Sequence, residues 1–107
     1  VLTPTWRRAM IVVRNTFHIQ AGQMKRAVEV AKQGRAVFQK IGLPVPRFYV
    51  DVASEFYTLV LESDYPNLGA VEQQMSQIFE NADWQKWYEG FTPLVRNGRR
   101  EIFRTVE

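Results

Sequence analysis

The stretch MIVVRNTFHI, Met10 to Ile19, decides the architecture. It runs apolar through Val13, then sets Arg14, Asn15 and His18 among Thr16, Phe17 and Ile19. β-Branched and aromatic residues dominate, so the segment from Arg8 onward reads as a strand. Alternation divides it into two faces. Ile11, Val13, Phe17 and Ile19 make an apolar face with one misfit, Asn15, which a local bulge would accommodate. Met10, Val12, Arg14, Thr16 and His18 make the other face.

Beyond the strand, Met24, Ala27, Val28, Ala31, Phe38 and Ile41 recur at helical spacing, with Lys25, Arg26, Glu29, Lys32 and Lys40 off that stripe. Gly42 stands where a left-handed cap ends this helix, and Pro44 and Pro46 prevent its continuation. Gly34, inside the helix, costs about 1 kcal/mol against Ala and points to close helix packing. RFYVDVA and EFYTLVLES then read as two strands joined at Ser54-Glu55, a connection short enough to imply an antiparallel hairpin. Pro66-Asn67 opens a second helix, with Asn67 as N-cap and Leu68, Val71, Met75, Ile78 and Ala82 as its stripe. Asp83 is the expected cap of a further helical piece carrying Trp84, Trp87, Tyr88 and Phe91, whose 3–4 spacing suits a core. Pro93 marks a turn because it lacks an amide donor. Asn97-Gly98 is read as another turn, and RREIFRTV as the closing strand.

The order β-α-β-β-α-β is the ferredoxin-like arrangement: an α+β fold, one domain over residues 1–107, with helices on one face of a four-stranded antiparallel sheet. Phe48, Val50 and Val52, with Tyr57, Leu59 and Leu61, are expected to join the apolar face of the first strand beneath the helices. The opposite face then carries Tyr49, Asp51, Phe56, Thr58, Val60 and Glu62. Arg100, Ile102 and Arg104, or their neighbours, would complete it. Such a mixture of aromatic, aliphatic and ionisable groups suits a surface that covers a second sheet or a ligand.

Composition narrows the function classes. The chain has 107 residues, 46% hydrophobic and 23% charged, a globular balance. No apolar run approaches the roughly 18 residues of a membrane span, and VLTPTWRR lacks the apolar core of a secretory signal, so a cytoplasmic protein without membrane attachment is expected. With no cysteine, disulfides, a thiolate nucleophile and thiolate-bound zinc are excluded. The net charge of +3 is scattered, which argues against a nucleic-acid partner. RNA-recognition domains share the topology, but Val12 stands where their first strand presents a base-stacking aromatic. The third strand, beginning SEFYTLV, lacks their basic-Gly-aromatic start.

His18, the one histidine, is the natural candidate for proton transfer, and so the candidate catalytic residue. Asp51 and Glu62 would orient it if they share its face; the alternative is a hydrogen bond at an interface. Arg14 and Arg104 have the guanidinium forks to clamp a carboxylate or phenolate. The alternative for Arg14 is an ion pair with Asp51 or Glu62. Thr16, Tyr49 and Thr58 complete the candidate ligand-binding set. Extended geometry separates Arg14 and His18 by about 13 Å, a span suited to the two ends of one small ligand. Failing that, the pocket is to be sought beside Trp84 and Trp87. One histidine with dispersed carboxylates has no ligand spacing, so no metal is expected.

The run FHIQAGQMKRAVEV, with a helix starting just after Ala21-Gly22, the paired strands that follow, and ADWQKWYEGFTPLVRNGRREIF resemble the dimeric α/β-barrel superfamily. Within it they resemble the NIPSNAP-like and antibiotic-biosynthesis-monooxygenase-like small proteins. The resemblance implies a homodimer whose open sheet faces meet in one barrel. It also implies a small-molecule ligand: some relatives oxidise quinol-like or polyketide substrates without a cofactor, some degrade haem, and many have no known activity. The haem-degrading relatives use an Asn on the first strand, matched in position by Asn15, together with a Trp on the sheet and a His on the second helix. Here the Trp and His lie elsewhere, so no cofactor is expected. The expectation is thus a small, partly apolar ligand with a cofactor-independent oxygenase or isomerase activity, or else a non-catalytic dimeric interaction module of stress-response type.

Overall fold

The structure, a computed structural model, describes residues 10–106. Its elements are β1 (Ile11–Ile19), α1 (Met24–Ile41), β2 (Arg47–Val50), β3 (Thr58–Tyr65), α2 (Leu68–Glu80), α3 (Ala82–Phe91), a 3-10 turn (Thr92–Leu94) containing Pro93, and β4 (Val95–Arg104). The strands form one antiparallel sheet in the order β2-β3-β1-β4. This is the ferredoxin-like α+β arrangement expected from the alternation of periods.

Local signals account for the helix ends. Gly42 adopts φ 82°, and the backbone N–H of Leu43 donates to the carbonyl of Phe38 at 2.9 Å, closing α1. Asn67 Oδ1 accepts from the N–H of Ala70 at 2.8 Å and starts α2. The third helix is capped by Asn81 rather than by Asp83: Asn81 Oδ1 accepts from Trp84 N at 2.9 Å. Asp83 lies in the first turn instead and pairs with Lys40 at 2.9 Å.

Three expectations about the strands need correction. The β2–β3 connection is a long loop rather than a tight step. Val50 and Tyr57 are exposed and Val52 almost fully so, hence none of the three belongs to the core. The loop is set by Asp51, whose Oδ1 accepts from Thr58 N at 2.9 Å, and by Tyr57 at φ 64°, which turns the chain out of extended geometry. Asn97 and Gly98 lie inside β4 rather than in a turn. Gly98 faces Phe17, and a Cβ there would come within 2.9 Å of the Thr16 carbonyl oxygen, so the glycine serves close strand approach. Finally, β4 places Ile11 opposite Arg104, Val13 opposite Ile102 and Asn15 opposite Arg100. These three β4 residues therefore share the helix side of the sheet, and their neighbours Arg99, Glu101 and Phe103 occupy the open face.

The apolar face of β1 packs beneath the helices as expected, but in two separate clusters. One joins Ile19, Leu59 and Leu61 to Ala27, Val30 and Ala31 of α1 and to Phe91 of α3. The other joins Ile11, Val13 and Tyr65 to Val71 of α2. Between them stands Asn15. No bulge accommodates it: the register runs evenly through Asn15, and the one irregularity against β4 falls between His18 and Ile19.

A candidate ligand cavity on the helix side of the sheet

Two strands interrupt their own apolar alternation on the helix side. On β1 the sequence of inward residues is Ile11, Val13, Asn15, Phe17, Ile19; on β3 it is Leu59, Leu61, Ser63, Tyr65. Pairing sets Asn15 opposite Leu61 and Val13 opposite Ser63, so the two polar residues are diagonal neighbours. Neither can knit the two apolar clusters together, and a cavity of about 490 Å³ opens above them. Asn15, Ser63, Tyr65, Gly98 and Arg100 lie along its floor. Its roof is aromatic: Phe38 from α1, Phe79 from α2, and Trp84, Trp87 and Tyr88 from α3. Trp84 stacks on Tyr88 with centroids 4.7 Å apart and meets Phe79 edge-on at 5.7 Å.

The roof is anchored at its inner end. Trp87 donates from Nε1 to the carbonyl oxygen of Val30 at 2.7 Å and stacks on the fully buried Phe91. It presses on α1 where Gly34 leaves room: a Cβ at Gly34 would lie 2.7 Å from the indole. That is the close helix packing expected of Gly34.

The floor has a distinct electrostatic character. Arg100 donates from Nε to Asn15 Oδ1 at 2.8 Å, and its Nη1 approaches Met75 Sδ at 3.4 Å. Burial pushes the Tyr65 phenol above its usual value, an effect that the Arg100 charge partly opposes. The phenol therefore stays protonated at neutral pH and can donate.

The open face is organised differently, and it holds most of the residues singled out in sequence. Arg14 Nε donates to Glu62 Oε2 at 2.9 Å, and Glu62 Oε1 accepts from Arg47 at 2.7 Å. Arg47 also grips Asp64 at 2.8 Å and donates to the Tyr49 hydroxyl at 3.1 Å. The Arg14 guanidinium covers the Phe103 ring at 5.0 Å. Arg47 first and Arg14 second hold the Glu62 carboxyl below its usual value, and Arg47 does the same to Asp64. Arg14 thus takes the ion-pair alternative, with Glu62 as partner. Thr16 is buried between the strands. His18 is nearly buried, with Nδ1 3.4 Å from Thr58 Oγ1 and Nε2 3.6 Å from Glu55 Oε2. Thr58 Oγ1 donates to the Glu55 carbonyl, and Asp51 is engaged with the Thr58 backbone, so neither Asp51 nor Glu62 bonds to the imidazole.

The sheet therefore separates the two groups. Arg14, Thr16, His18, Tyr49, Thr58 and Glu62 share the open face, whereas the cavity lies on the other side. Arg104, expected beside Arg14, stands opposite Ile11 on the cavity's side of the sheet but does not line the cavity. Sequence reasoning missed Ser63 and Tyr65, and it set Arg100 on the open face rather than on the cavity side. The signal for them is the interrupted alternation of β1 and β3, of which the sequence reading caught only the Asn15 half. The donor set of the haem-degrading relatives is not assembled here: the one imidazole lies across the sheet, and the cavity lining holds no histidine or thiolate.

Among the described residues no helix is long and apolar enough to cross a membrane, and no cluster of potential metal ligands occurs. No family model and no curated protein matches the sequence. Solved structures do. A NIPSNAP family protein from Agrobacterium tumefaciens is similar at a TM-score of 0.84 and 17% identity, over 92% of this chain and 87% of that one. An uncharacterised NIPSNAP-like domain protein from Burkholderia xenovorans gives 0.80 and 13%, over 91% and 85%. A Bordetella bronchiseptica protein provisionally named an antibiotic biosynthesis monooxygenase gives 0.74 and 16%, over 92% and 99%. The chain has the ferredoxin-like fold shared by NIPSNAP-like and antibiotic-biosynthesis-monooxygenase-like proteins.

Proposed function

We propose that this protein binds a small, partly apolar molecule in the cavity between the sheet and helices α2 and α3. The observation that carries this reading is the interrupted core: Asn15 and Ser63 keep the two apolar clusters apart beneath an aromatic roof. A cavity of about 490 Å³ has the size and the mostly apolar lining of small-molecule sites. A monooxygenase activity is in keeping with the name given to the Bordetella neighbour. The test is a thermal-shift panel of quinols, phenolic acids and fatty acids, because a ligand that binds only the folded state raises the melting temperature. A shift with one class supports the reading. No shift with any of them would leave the non-catalytic interaction module.

The same proposal includes a homodimer formed by the open sheet faces. Tyr49 and Phe103 are exposed there at 45% and 42%, around half-buried Val12 and Val60, a patch that suits a covered surface. In this reading His18 and the Arg14–Glu62–Arg47 array serve the interface. Sedimentation at micromolar concentration should give a dimer with two-fold symmetry, and Val60→Asp, at the centre of the face, should give a monomer. A wild-type monomer at that concentration would refute the barrel.

A further inference from the structure

No carboxylate lines the cavity, and of the two arginines at it Arg99 stands by register on the open face and Arg100 on the cavity side. Arg99 is already paired with Glu101 at 3.1 Å, whereas Arg100 makes no ion pair among the described residues. Its contacts are the neutral Asn15 amide and the Met75 sulfur, so its charge is positioned without being neutralised. Because Asn15 spends its carbonyl oxygen on Arg100, its remaining polar group is an NH₂ donor. The Ser63 hydroxyl and the protonated Tyr65 phenol lie along the same floor. Donors spread along one floor with an uncompensated guanidinium, facing a wall of flat rings, form a surface of defined polarity.

We propose that the cavity takes a planar aromatic acid. Its carboxylate meets the Arg100 guanidinium, with the Asn15 amide beside it. Its ring lies along Phe79, Trp84 and Tyr88. This rests on the cavity being the binding site and adds the ligand's charge and shape. Arginine suits the role because its fork matches a carboxylate with two parallel hydrogen bonds. Holding Nε on Asn15 fixes the direction of that fork before any ligand arrives, so less side-chain freedom is lost on binding.

The experiment compares two probes that differ only in the polar group, 2-naphthoate and 2-naphthalenemethanol, by isothermal titration calorimetry at fixed salt. The acid should bind about tenfold or more tightly than the alcohol, the worth of one charge-assisted hydrogen bond. Arg100→Gln should abolish that preference while leaving the alcohol's affinity unchanged. Arg104→Gln, which alters the same strand outside the cavity, should change neither. Circular dichroism would verify that both variants fold. Equal affinity of acid and alcohol in the wild type, or a preference that survives Arg100→Gln, would overturn the aromatic-acid proposal and leave the cavity as an apolar site. Binding of neither probe would overturn both.

Discussion

Replacing Gly34 by Ala should destabilise this protein, although the same change in an open helix stabilises. In a helix interior, Ala gains about 1 kcal/mol over Gly from backbone entropy. Against this, the added Cβ would lie 2.7 Å from Cε2 and Cζ2 of Trp87. Ordinary carbon contact begins at about 3.5 Å, so the indole or α1 must give by nearly an ångström. The indole has little freedom to do so, since its Nε1 bonds to Val30 at 2.7 Å and its face stacks on Phe91 with centroids 5.4 Å apart. Sliding it weakens a hydrogen bond worth about 1 kcal/mol and a ring pair worth about 0.5–1.5 kcal/mol. Overpacking of a well-filled core costs about 1–3 kcal/mol in general. Subtracting the helix gain leaves a net loss of up to about 2 kcal/mol, or up to roughly 9 °C in Tm for a domain of this size. Gly90 of α3 is the control: a Cβ there meets nothing within 4 Å, so Gly90→Ala should stabilise by about 0.5–1 kcal/mol. Urea denaturation at fixed protein concentration would measure both. A Gly34→Ala variant that gains stability as Gly90→Ala does would refute the tight α1–α3 contact.

Two further outcomes follow from the ion pairs and caps. Glu62 and Asp64 have folded-state values held below their usual ones, so their stabilisation is complete above ordinary carboxylate values near pH 4 and is lost as pH falls through the lower folded values. Stability measured by denaturant from pH 6 to pH 2 should therefore fall in acid, and less steeply in Arg47→Gln; parallel curves would contradict the pairing. Asn67→Ala should cost about 1 kcal/mol in urea denaturation by freeing the Ala70 amide, whereas Asn67→Asp should retain most of the stability.

How far the molecule was legible in its sequence depended on whether the governing interaction was local. The glycine at 42 and the asparagine at 67 act within a few residues, and the helix ends they mark stand where the sequence puts them. The face of β1 followed from alternation alone. The register of β4 did not, because it is set by the partner strand: Gly98 must sit where Phe17 and the Thr16 carbonyl crowd the backbone, and that neighbour is remote in sequence. Val52, Phe56 and Tyr57 carry high strand propensity yet form a loop, since one aspartate and one positive φ override it. The cavity was half legible. Asn15 is visibly foreign to an apolar face, but the opposite face is richer in charge and so looks the more functional. Those charges mostly satisfy one another, whereas the lone polar residue among apolar neighbours marks the gap.

The strand order also bears on how copies of this protein avoid one another. Among the described residues β2 and β4 are outermost, and each leaves backbone donors and acceptors unpaired along a rim of the sheet. One rim is short: β2 has four residues and follows Pro46, which has no amide hydrogen to offer. The other is ten residues long but carries Arg96, Arg99, Arg100 and Arg104 against a single Glu101. A second copy adding β4 to β4 would bring two arginine-rich ribbons about 5 Å apart, where their charges repel. Growth by strand addition, the route to fibres, is thereby opposed at both rims, which leaves the flat face as the surface through which the proposed dimer would close.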